Sequence, residues 1–294
     1  MDCWKSSSEL KSYIITSLNQ LGIKPSQQKG QNFLINSDII KFQVAQANIS
    51  TNDVILEIGG GLGNLTRCMV NNVKKMYVIE ADRRLAQFLQ DTYSSTSNIE
   101  IILGDAVKVD FPLFTKCISN LPYQISSPIT FKLLNHSFEL AILMYQKEFA
   151  QRFFAEPGSH DYSRLSVMMN LRARCKYLKT IKASSFLPPP KIQSSIVSVQ
   201  KKTETLIEDE IGFSKFVTLL FSHKKKIVRS VLSNVLRRKA KQFTIPINLK
   251  IEPDRFTERR IFTLSLDELI DLYNNLKTKI GENLWLDIIS QNTS

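Results

Sequence analysis

The segment VILEIGGGLGNLT (54–66) decides the fold expected for this chain. It opens with VILEI, a short apolar run typical of a buried strand, and the stretch from Leu62 to Asn71 has the pattern of a helix. Glycines at a turn between a strand and a helix let the backbone approach a ligand closely, and the helix N-terminus offers free N–H groups. The segment therefore predicts a ligand-binding turn, although a glycine turn in this position can also serve structure alone.

The spacing of these glycines distinguishes two ligand classes. A dinucleotide fingerprint would need Gly or Ala three residues after Gly61, where the sequence has Asn64. From Glu57 to Gly63 the spacing is instead E-x-G-x-G-x-G, the pattern of S-adenosylmethionine sites. The segment thus predicts S-adenosylmethionine as the ligand.

Outward from this segment, apolar runs alternate with helix-like stretches. The predicted strands are VILEI (54–58), MYVIE (76–80), IEIIL (99–103), KCISN (116–120) and LAILMY (140–145). Further helices are predicted over Arg83–Tyr93 and Ser127–Leu134. Strands that alternate with helices imply right-handed crossovers and a parallel sheet covered on both faces. The predicted fold class is therefore α/β, a doubly wound, Rossmann-like domain.

The predicted domains are a lead-in segment (1–28), an α/β domain (29–205) and a helical, basic C-terminal domain (206–294). The lead-in segment has a short amphipathic helix around Leu10–Leu21, and SSIVSVQKK (194–202) alternates like a half-buried strand near the end of the α/β domain. Apolar residues after the TETLIEDE linker (203–210) recur at helical spacing. They are Phe213, Phe216, Val217 and Leu220, then Val228, Val231, Leu232 and Val235.

Composition and charge narrow the class of partner. The chain has 294 residues, 43% hydrophobic and 22% charged, which excludes disordered and collagen-like chains. No apolar run approaches the roughly 20 residues that span a bilayer, so no membrane partner is expected. The net charge of +12 favours a polyanionic partner, most often nucleic acid. Residues 211–250 hold ten Lys/Arg and no Asp or Glu, although a solvated basic helix face would show the same run.

The cysteines and the first residues bear on location. Cys3, Cys68, Cys117 and Cys175 are scattered without a CxxC pair, so neither a zinc site nor a disulfide framework is expected. Residues 1–13 lack the apolar stretch of a secretory signal. A reducing, cytoplasmic location is therefore expected, with no metal cofactor.

Two acids stand at the ends of neighbouring predicted strands. Glu80 ends the second strand and is placed to accept hydrogen bonds from both ribose hydroxyls of a cofactor. Asp105 follows the third strand and is placed to accept one from an adenine amino group. Either acid alone would more often be a helix cap or a surface charge, but both beside a glycine turn support the ligand site.

The block Asn120-Leu121-Pro122-Tyr123 ends the fourth predicted strand and is the most specific element. The lone pair of an exocyclic adenine amine is delocalised into the ring. The Asn120 amide oxygen and the Leu121 carbonyl are suited to accept hydrogen bonds from that amine and favour a pyramidal nitrogen. Pro122 stiffens the turn, and Tyr123 offers a flat face for stacking the displaced base. The alternative is an ordinary turn with a core tyrosine.

These motifs resemble those of the ribosomal RNA adenine N6,N6-dimethyltransferase family, which modifies two adjacent adenosines near the 3′ end of small-subunit rRNA. The resemblance covers roughly residues 27–235 and is closer to archaeal and eukaryotic members than to bacterial ones. Besides the glycine segment and NLPYQISSPITFKLL (120–134), it includes GQNFL (30–34), YQKEFAQRF (145–153), YSRLSV (162–167), FLPPPKIQSSIV (186–197) and FSHKKKIVRSVL (221–232). One departure is Gly60, where many members carry Pro.

The resemblance implies roles for individual residues. Those expected to hold S-adenosylmethionine are Asn32, Leu34, Gly59, Gly61, Glu80, Asp105 and Asn120. Phe186 is expected to stack on the target base opposite Tyr123, although a buried core phenylalanine is the alternative. No general base is needed, because the methylated nitrogen is acidic and releases its proton to water. His136, His160 and His223 are therefore given no catalytic role.

The basic clusters are expected to neutralise RNA phosphates without reading bases. They consist of Lys224, Lys225, Lys226, Arg229, Arg237 and Arg238, on predicted helices. The expected partner is small-subunit rRNA or the assembling small subunit, and the expected state is a monomer. Two other functions stay open: methylation of one large-subunit adenosine, as in the macrolide-resistance type, and a non-catalytic assembly or transcription factor with this fold.

Overall fold

A computed structural model describes residues 2–25, 31–243, 251–281, 285 and 288 of the chain. The chain forms two compact units, one of Met1–Ala150 with Ala173–Lys201 and one of Gln151–Arg172 with Lys202–Ser294. The predicted boundary at residue 28 lies outside the described residues, and the one at residue 205 lies close to Lys202. The sequence did not predict that Gln151–Arg172 belongs to the second unit. The division into three domains at residues 28 and 205 stays a prediction.

Among the described residues, nine strands belong to the first unit. They are β1 (Phe33–Leu34), β2 (Val54–Ile58), β3 (Lys75–Glu80), β4 (Ile99–Leu103), β5 (Lys116–Asn120), β6 (Leu140–Gln146), β7 (Ala173–Ile181), β8 (Phe186–Leu187) and β9 (Ser194–Lys201). β1 and β8 form a small antiparallel pair, and the other seven lie in the order β4-β3-β2-β5-β6-β9-β7. The strands from β4 to β6 are parallel, whereas β9 runs antiparallel to both of its neighbours, β6 and β7. Strand order reverses between β2 and β5, where open α/β sheets bind ligands.

The predicted α/β fold is confirmed, and all six predicted strands are present to within one residue at each end. Central parallel strands are covered on both faces, so they read as apolar runs; Ile55 and Leu56 are fully buried. β7 was not predicted, because it is an edge strand whose residues are mostly exposed or half-buried and carry no clear apolar alternation.

The first unit contains α1 (Ser7–Gln20), α2 (Ser37–Ala47), α3 (Arg83–Thr92), α4 (Ser126–Leu134) and α5 (Lys147–Gln151), whose last residue belongs to the second unit. Local capping starts three of them: the side chains of Ser6, Asn36 and Asp82 accept hydrogen bonds from the first free N–H groups of α1, α2 and α3. The predicted helices near Leu10–Leu21, Arg83–Tyr93 and Ser127–Leu134 are confirmed.

The helix predicted over Leu62–Asn71 is wrong. The structure has two 3-10 turns there, Thr66–Cys68 and Val70–Asn72. Asn64, Thr66, Val70 and Asn71 are weak helix formers. Tertiary contacts therefore decide the structure of this stretch. The Thr66 hydroxyl donates to the buried Glu57 carboxylate over 2.7 Å, which ties the turn to the end of β2.

The second unit contains α6 (Arg164–Arg172), α7 (Glu210–Phe221), α8 (Val228–Phe243) and α9 (Leu266–Ile280). The apolar residues whose helical spacing led to the predicted helices are buried, and Phe213 and Phe216 are fully enclosed. Asp209 caps α7, and Ser265 with Glu268 forms a capping box at the start of α9. None of the helices in the described part of the chain combines the length and apolarity needed to cross a bilayer.

One pair of cysteines contradicts the expectation of no disulfide. Cys3 and Cys68 are bonded at an S–S distance of 2.09 Å, although 65 residues separate them. Cys117, which is buried, and Cys175, which is half-buried, take no part in a disulfide. The pairing joins the start of the chain to the turn that follows the glycine segment, a proximity that no local pattern reveals.

Candidate active site

A cavity of about 480 Å³ lies in the first unit, beside the carboxyl ends of β2, β3 and β5. Every residue predicted to bind the cofactor is among those lining it. They are Asn32, Leu34, Gly59, Gly61, Glu80, Asp105 and Asn120. The parallel register explains the convergence, because the carboxyl ends of neighbouring parallel strands meet at one edge of a sheet.

The glycine turn forms the floor of this cavity. Gly59 has φ of +79°, which an L side chain rarely adopts, and a Cβ there would lie 3.3 Å from the Pro122 ring. At Gly60, a Cβ would lie only 2.3 Å from the Val78 side chain and 2.9 Å from Leu89. The packing therefore explains why this chain has Gly60 where many family members carry Pro: the turn lies too close to β3 and α3 for a side chain.

Glu80 anchors the turn from the end of β3. Its Oε2 accepts from the Gly61 N–H at 2.8 Å, and its Oε1 accepts from the Asp82 N–H at 2.9 Å. The Ala81 N–H also acts on this carboxylate, whose two oxygens together offer about four acceptor sites. Burial raises the pKa of Glu80, partly offset by these backbone N–H groups.

A second buried carboxyl lies beneath the turn. Burial raises the pKa of Glu57 to about 8; the Thr66 hydroxyl opposes this shift, and the nearby Glu80 carboxylate adds to it. Glu57 is fully enclosed at the end of β2 and also lines the cavity. Glu57 is part of the predicted glycine pattern, but no local pattern indicates that its side chain is buried.

Three asparagine side chains of the cavity carry buried oxygen atoms that accept no hydrogen bond. These atoms are Oδ1 of Asn32, Asn64 and Asn120. A buried acceptor without a donor costs free energy until a partner supplies one. The oxygens of Asn32 and Asn120 suit a ligand that brings N–H donors, such as the ammonium group of S-adenosylmethionine or an exocyclic adenine amine. The cavity therefore fits the predicted cofactor on the chemistry of its own unpaired groups.

The remaining residues predicted at the reacting amine are placed differently. Pro122 lines the cavity, whereas Leu121 and Tyr123 are not among its lining residues. The Tyr123 hydroxyl hydrogen-bonds with the Ser194 hydroxyl at 2.6 Å, which fixes the ring at the start of β9. Phe186 is only 4% exposed and belongs to the hydrophobic core together with Phe33, so the structure does not bring its ring to the cavity.

The N-terminal segment supports the outer side of the cavity wall, a role that sequence reasoning missed. The Trp4 indole N–H donates to the Asn64 carbonyl at 2.7 Å, and the Tyr13 hydroxyl donates to the Leu62 carbonyl at 2.9 Å. Both carbonyls belong to residues lining the cavity. Because these contacts span 60 and 49 residues, only the folded chain shows them.

The predicted RNA-binding residues of the second unit fall into two groups. Lys225, Lys226, Arg237 and Arg238 are exposed. Lys224 is half-buried, and its ammonium donates to the carbonyls of His160 and Tyr162 at 2.7 and 2.9 Å. Arg229 pairs with Glu258 at 2.6 Å. Lys224 and Arg229 are therefore engaged within the unit, whereas the exposed four present their charge to solvent.

A basic cleft of about 690 Å³ adjoins Lys224 in the same unit. Its lining includes Arg152, Arg164, His223, Lys225 and Lys226, and no Asp or Glu lines it among the residues the structure describes. Arg152 and Arg164 were not predicted to bind RNA, although they lie in the motifs YQKEFAQRF (145–153) and YSRLSV (162–167). Nor does the described part of the chain contain a cluster of three or more His, Cys, Asp or Glu suited to a metal ion.

Comparison with known proteins agrees with this geometry. A family model described as "Ribosomal RNA adenine dimethylase" matches residues 23–265. A probable ribosomal RNA small subunit methyltransferase A of Thermococcus sibiricus is 40% identical over 275 residues, which is 91% of this chain and 98% of that protein. The protein of the same name from Methanococcus aeolicus is 41% identical over 271 residues, 89% of this chain and 100% of that protein.

Solved structures are also similar. A dimethyladenosine transferase from Plasmodium falciparum superposes with a TM-score of 0.71 at 30% identity, covering 84% of this chain and 98% of that one. The 23S rRNA methyltransferase ErmE superposes with a TM-score of 0.58 at 24% identity over 82% of this chain and all of its own, a likeness of fold.

Proposed function

The chain belongs to the ribosomal RNA adenine dimethylase family, and we propose that it dimethylates two adjacent adenosines near the 3′ end of small-subunit rRNA. The observation that carries this proposal is the cavity that gathers Glu80, Asp105 and an unpartnered Asn120 oxygen at one edge of the sheet. The small-subunit name of the archaeal relatives supports the choice of RNA.

Cofactor binding is assigned to the residues predicted from the sequence. Glu80, which lines the cavity at the end of β3, would hold the ribose through its carboxylate oxygens. Asp105 would accept a hydrogen bond from the adenine amino group, and Asn32 would pair its buried oxygen with the ammonium group. The backbone of Gly59, Gly61 and Leu34 would lie against the methionine portion. When bound, S-adenosylmethionine supplies an electrophilic methyl group.

Catalysis consists of orienting the target amine. Oδ1 of Asn120 and the carbonyl of Leu121 would accept the two N–H groups of the adenine amine, which directs the nitrogen lone pair towards the methyl donor. Tyr123, held by Ser194, would stack on the base. Stacking by Phe186 on the opposite face would require its buried ring to move.

The proton is lost without a general base. The methylated nitrogen carries a positive charge and is therefore acidic, so water can accept the proton. No histidine lines the described cavity. His136 packs against Phe111 at 5.2 Å between ring centroids, and His160 is exposed beside Asp161.

RNA binding is assigned to the second unit. Exposed Lys225, Lys226, Arg237 and Arg238 would neutralise phosphates, and Arg152 and Arg164 would add charge at the basic cleft. Such contacts position an RNA by its backbone and shape rather than by base readout. The proposed partner is small-subunit rRNA or the assembling subunit, met by a monomer in the cytoplasm.

The test is to map dimethyladenosine in rRNA from cells with and without this protein, and to restore it with the purified protein and S-adenosylmethionine. Loss and recovery of the two small-subunit marks is the expected result. Loss of a large-subunit mark would assign the protein to the macrolide-resistance type of reaction. Unchanged marks, together with binding to immature small subunits, would indicate a non-catalytic assembly factor.

A further inference from the structure

Lys132, on α4, makes an unusual set of contacts outside the cavity. Its ammonium donates to the carbonyls of Ala106 at 3.0 Å and Val107 at 3.3 Å, and also to the carbonyl of Val109. The ammonium lies 4.2 Å from the centre of the Phe111 ring. An ammonium has three N–H donors, so this one lysine uses all of them on a single loop.

That loop is the one that carries Asp105. The Asp105 carbonyl accepts from the N–H groups of Lys108 at 2.8 Å and Val109 at 2.9 Å, and its Oδ1 accepts from Val107 at 2.9 Å. This tight turn directs the carbonyls of residues 106, 107 and 109 towards one point. Carbonyl dipoles that converge repel one another, and a cation at that point removes the repulsion.

The same lysine belongs to the element that follows the proposed catalytic block. Asn120–Tyr123 leads through a 3-10 turn (Tyr123–Ile125) directly into α4 (Ser126–Leu134). Lys132 therefore links α4, the helix that follows the block Asn120–Tyr123 in the chain, to the loop that carries Asp105. Burial lowers the pKa of Lys132, and the carboxylates of Asp110 and Asp105 act in the opposite direction.

We propose that Lys132 is a positioning residue that holds the 105–109 loop so that Asp105 meets the adenine amino group of the cofactor. This inference rests on the proposed function, because it takes the adenine contact of Asp105 from it. Lys132 itself does not line the cavity, so its effect passes through the loop.

The experiment compares two ligands by calorimetry: S-adenosylhomocysteine and its analogue with hydrogen in place of the adenine amino group. Lys132→Met keeps the length of the side chain and removes the ammonium. We expect it to weaken S-adenosylhomocysteine about tenfold, within the range for a hydrogen bond to a charged group, and the desamino analogue less than about twofold. The matched control is Lys108→Met, because Lys108 is an exposed lysine of the same loop, and both affinities should stay unchanged.

A second background separates positioning from general support. In an Asp105→Asn protein, Lys132→Met should add little further loss, because the contact it serves is already impaired. If Lys132→Met is too unstable to purify, Lys132→Arg serves instead. Its planar guanidinium keeps the charge but cannot direct three N–H groups to these carbonyls, so an about threefold loss confined to S-adenosylhomocysteine is expected.

Equal losses for both ligands would overturn the inference, because they would mean that the lysine is merely structural. A full additional loss in the Asp105→Asn background would also overturn it. Unchanged affinity for S-adenosylhomocysteine in both Lys132 variants would do the same. A wild-type protein that binds neither ligand would instead overturn the proposed function, and this inference with it.

Discussion

The cavity of the first unit and the basic surface of the second use polar groups in opposite ways. In the cavity, the Asn120 side chain carries a buried oxygen without a partner, whereas on the surface Lys225 and Lys226 are exposed. A buried group has already lost its water, so a ligand gains nearly the full hydrogen bond. An exposed cation exchanges water and counterions for a phosphate, so each contact is worth less and depends on salt. Substitutions should therefore have large, ligand-specific effects in the cavity and small, additive effects on the surface.

The same contrast divides the basic residues themselves. Lys224 donates to two backbone carbonyls and burial lowers its pKa, an effect to which the nearby Arg152 charge adds. Lys225 and Lys226, its neighbours in sequence, are exposed. A run that reads as one cluster therefore combines a residue engaged within the fold with residues that present their charge to solvent.

The largest effect is expected at Asn120. Asn120→Ala should lower turnover by about two orders of magnitude or more at saturating cofactor and RNA, because the amine loses the acceptor that orients it. Single-turnover methylation of small-subunit RNA measures this, and RNA affinity should be largely retained. Near-normal turnover would contradict the proposed orientation of the amine by Asn120. It would also contradict the expectation that substitutions in the cavity have larger effects than those on the surface.

Glu80 should give the next largest effect. Glu80→Ala should weaken S-adenosylmethionine binding by about 1.5–3 kcal/mol, the range for hydrogen bonds to a charged group. Calorimetry measures the loss. The matched control is Glu100→Ala, an exposed carboxylate of β4 that pairs with Lys75 at 3.3 Å, and it should bind normally. Equal affinity for wild type and Glu80→Ala would exclude Glu80 from the site.

The buried Glu57 side chain of the cavity should make the stability of the protein depend on pH. Its folded pKa of about 8 exceeds its ordinary value of 4.5, so between these values the folded chain keeps a proton that the unfolded chain releases. Its contribution to stability is therefore full below pH 4.5 and is lost as pH rises towards 8. Glu57→Gln has no ionisable group at this position, so this loss should disappear. From pH 5 to pH 8, the free energy of unfolding of the wild type should therefore fall by more than about 1.4 kcal/mol beyond any fall in the variant, the equivalent of one pKa unit.

Urea unfolding of the wild type and of Glu57→Gln at the two pH values measures that difference. Gln keeps an oxygen that can accept from the Thr66 hydroxyl, so the hydrogen bond at 2.7 Å need not be lost. The same slope with pH in both proteins would mean that Glu57 is ionised in the folded chain.

The smallest effect belongs to the surface. Replacing Lys225 and Lys226 with Gln should make the slope of log RNA affinity against log salt shallower by about 0.7–0.9 per lost phosphate contact. Cofactor affinity and turnover at saturating RNA should stay the same. The control replaces Lys11 and Lys279, two exposed lysines elsewhere, and should leave the slope unchanged. An unchanged slope in the Lys225/Lys226 protein would make this run an ordinary solvated helix face.

Lys224 should behave unlike its neighbours. Lys224→Gln removes donors to the His160 and Tyr162 carbonyls, so it should lower the melting temperature of the protein, which replacing Lys225 and Lys226 should not do. Thermal unfolding of the two variants side by side measures this. A normal melting temperature for Lys224→Gln would return Lys224 to the RNA-binding group.

The sequence by itself determined six of the nine strands among the described residues, and it placed the candidate ligand-binding residues at the ends of those strands. These rest on local rules: buried parallel strands read as apolar runs, and acids that follow such strands meet at one edge of the sheet. That is why Gly59, Glu80, Asp105 and Asn120 could be named in advance, and the structure gathers them around one cavity.

Only the tertiary structure decided which polar groups have partners. Trp4 meets Asn64 across 60 residues, Tyr123 meets Ser194 across 71, and Lys224 meets His160 across 64. It also placed Phe186 in the core. The spacing of residues along the chain encodes which face of a helix or strand a side chain occupies, but not which distant segment covers that face. Whether a side chain is solvated, paired or left unpaired for a ligand is therefore settled when the segments pack together.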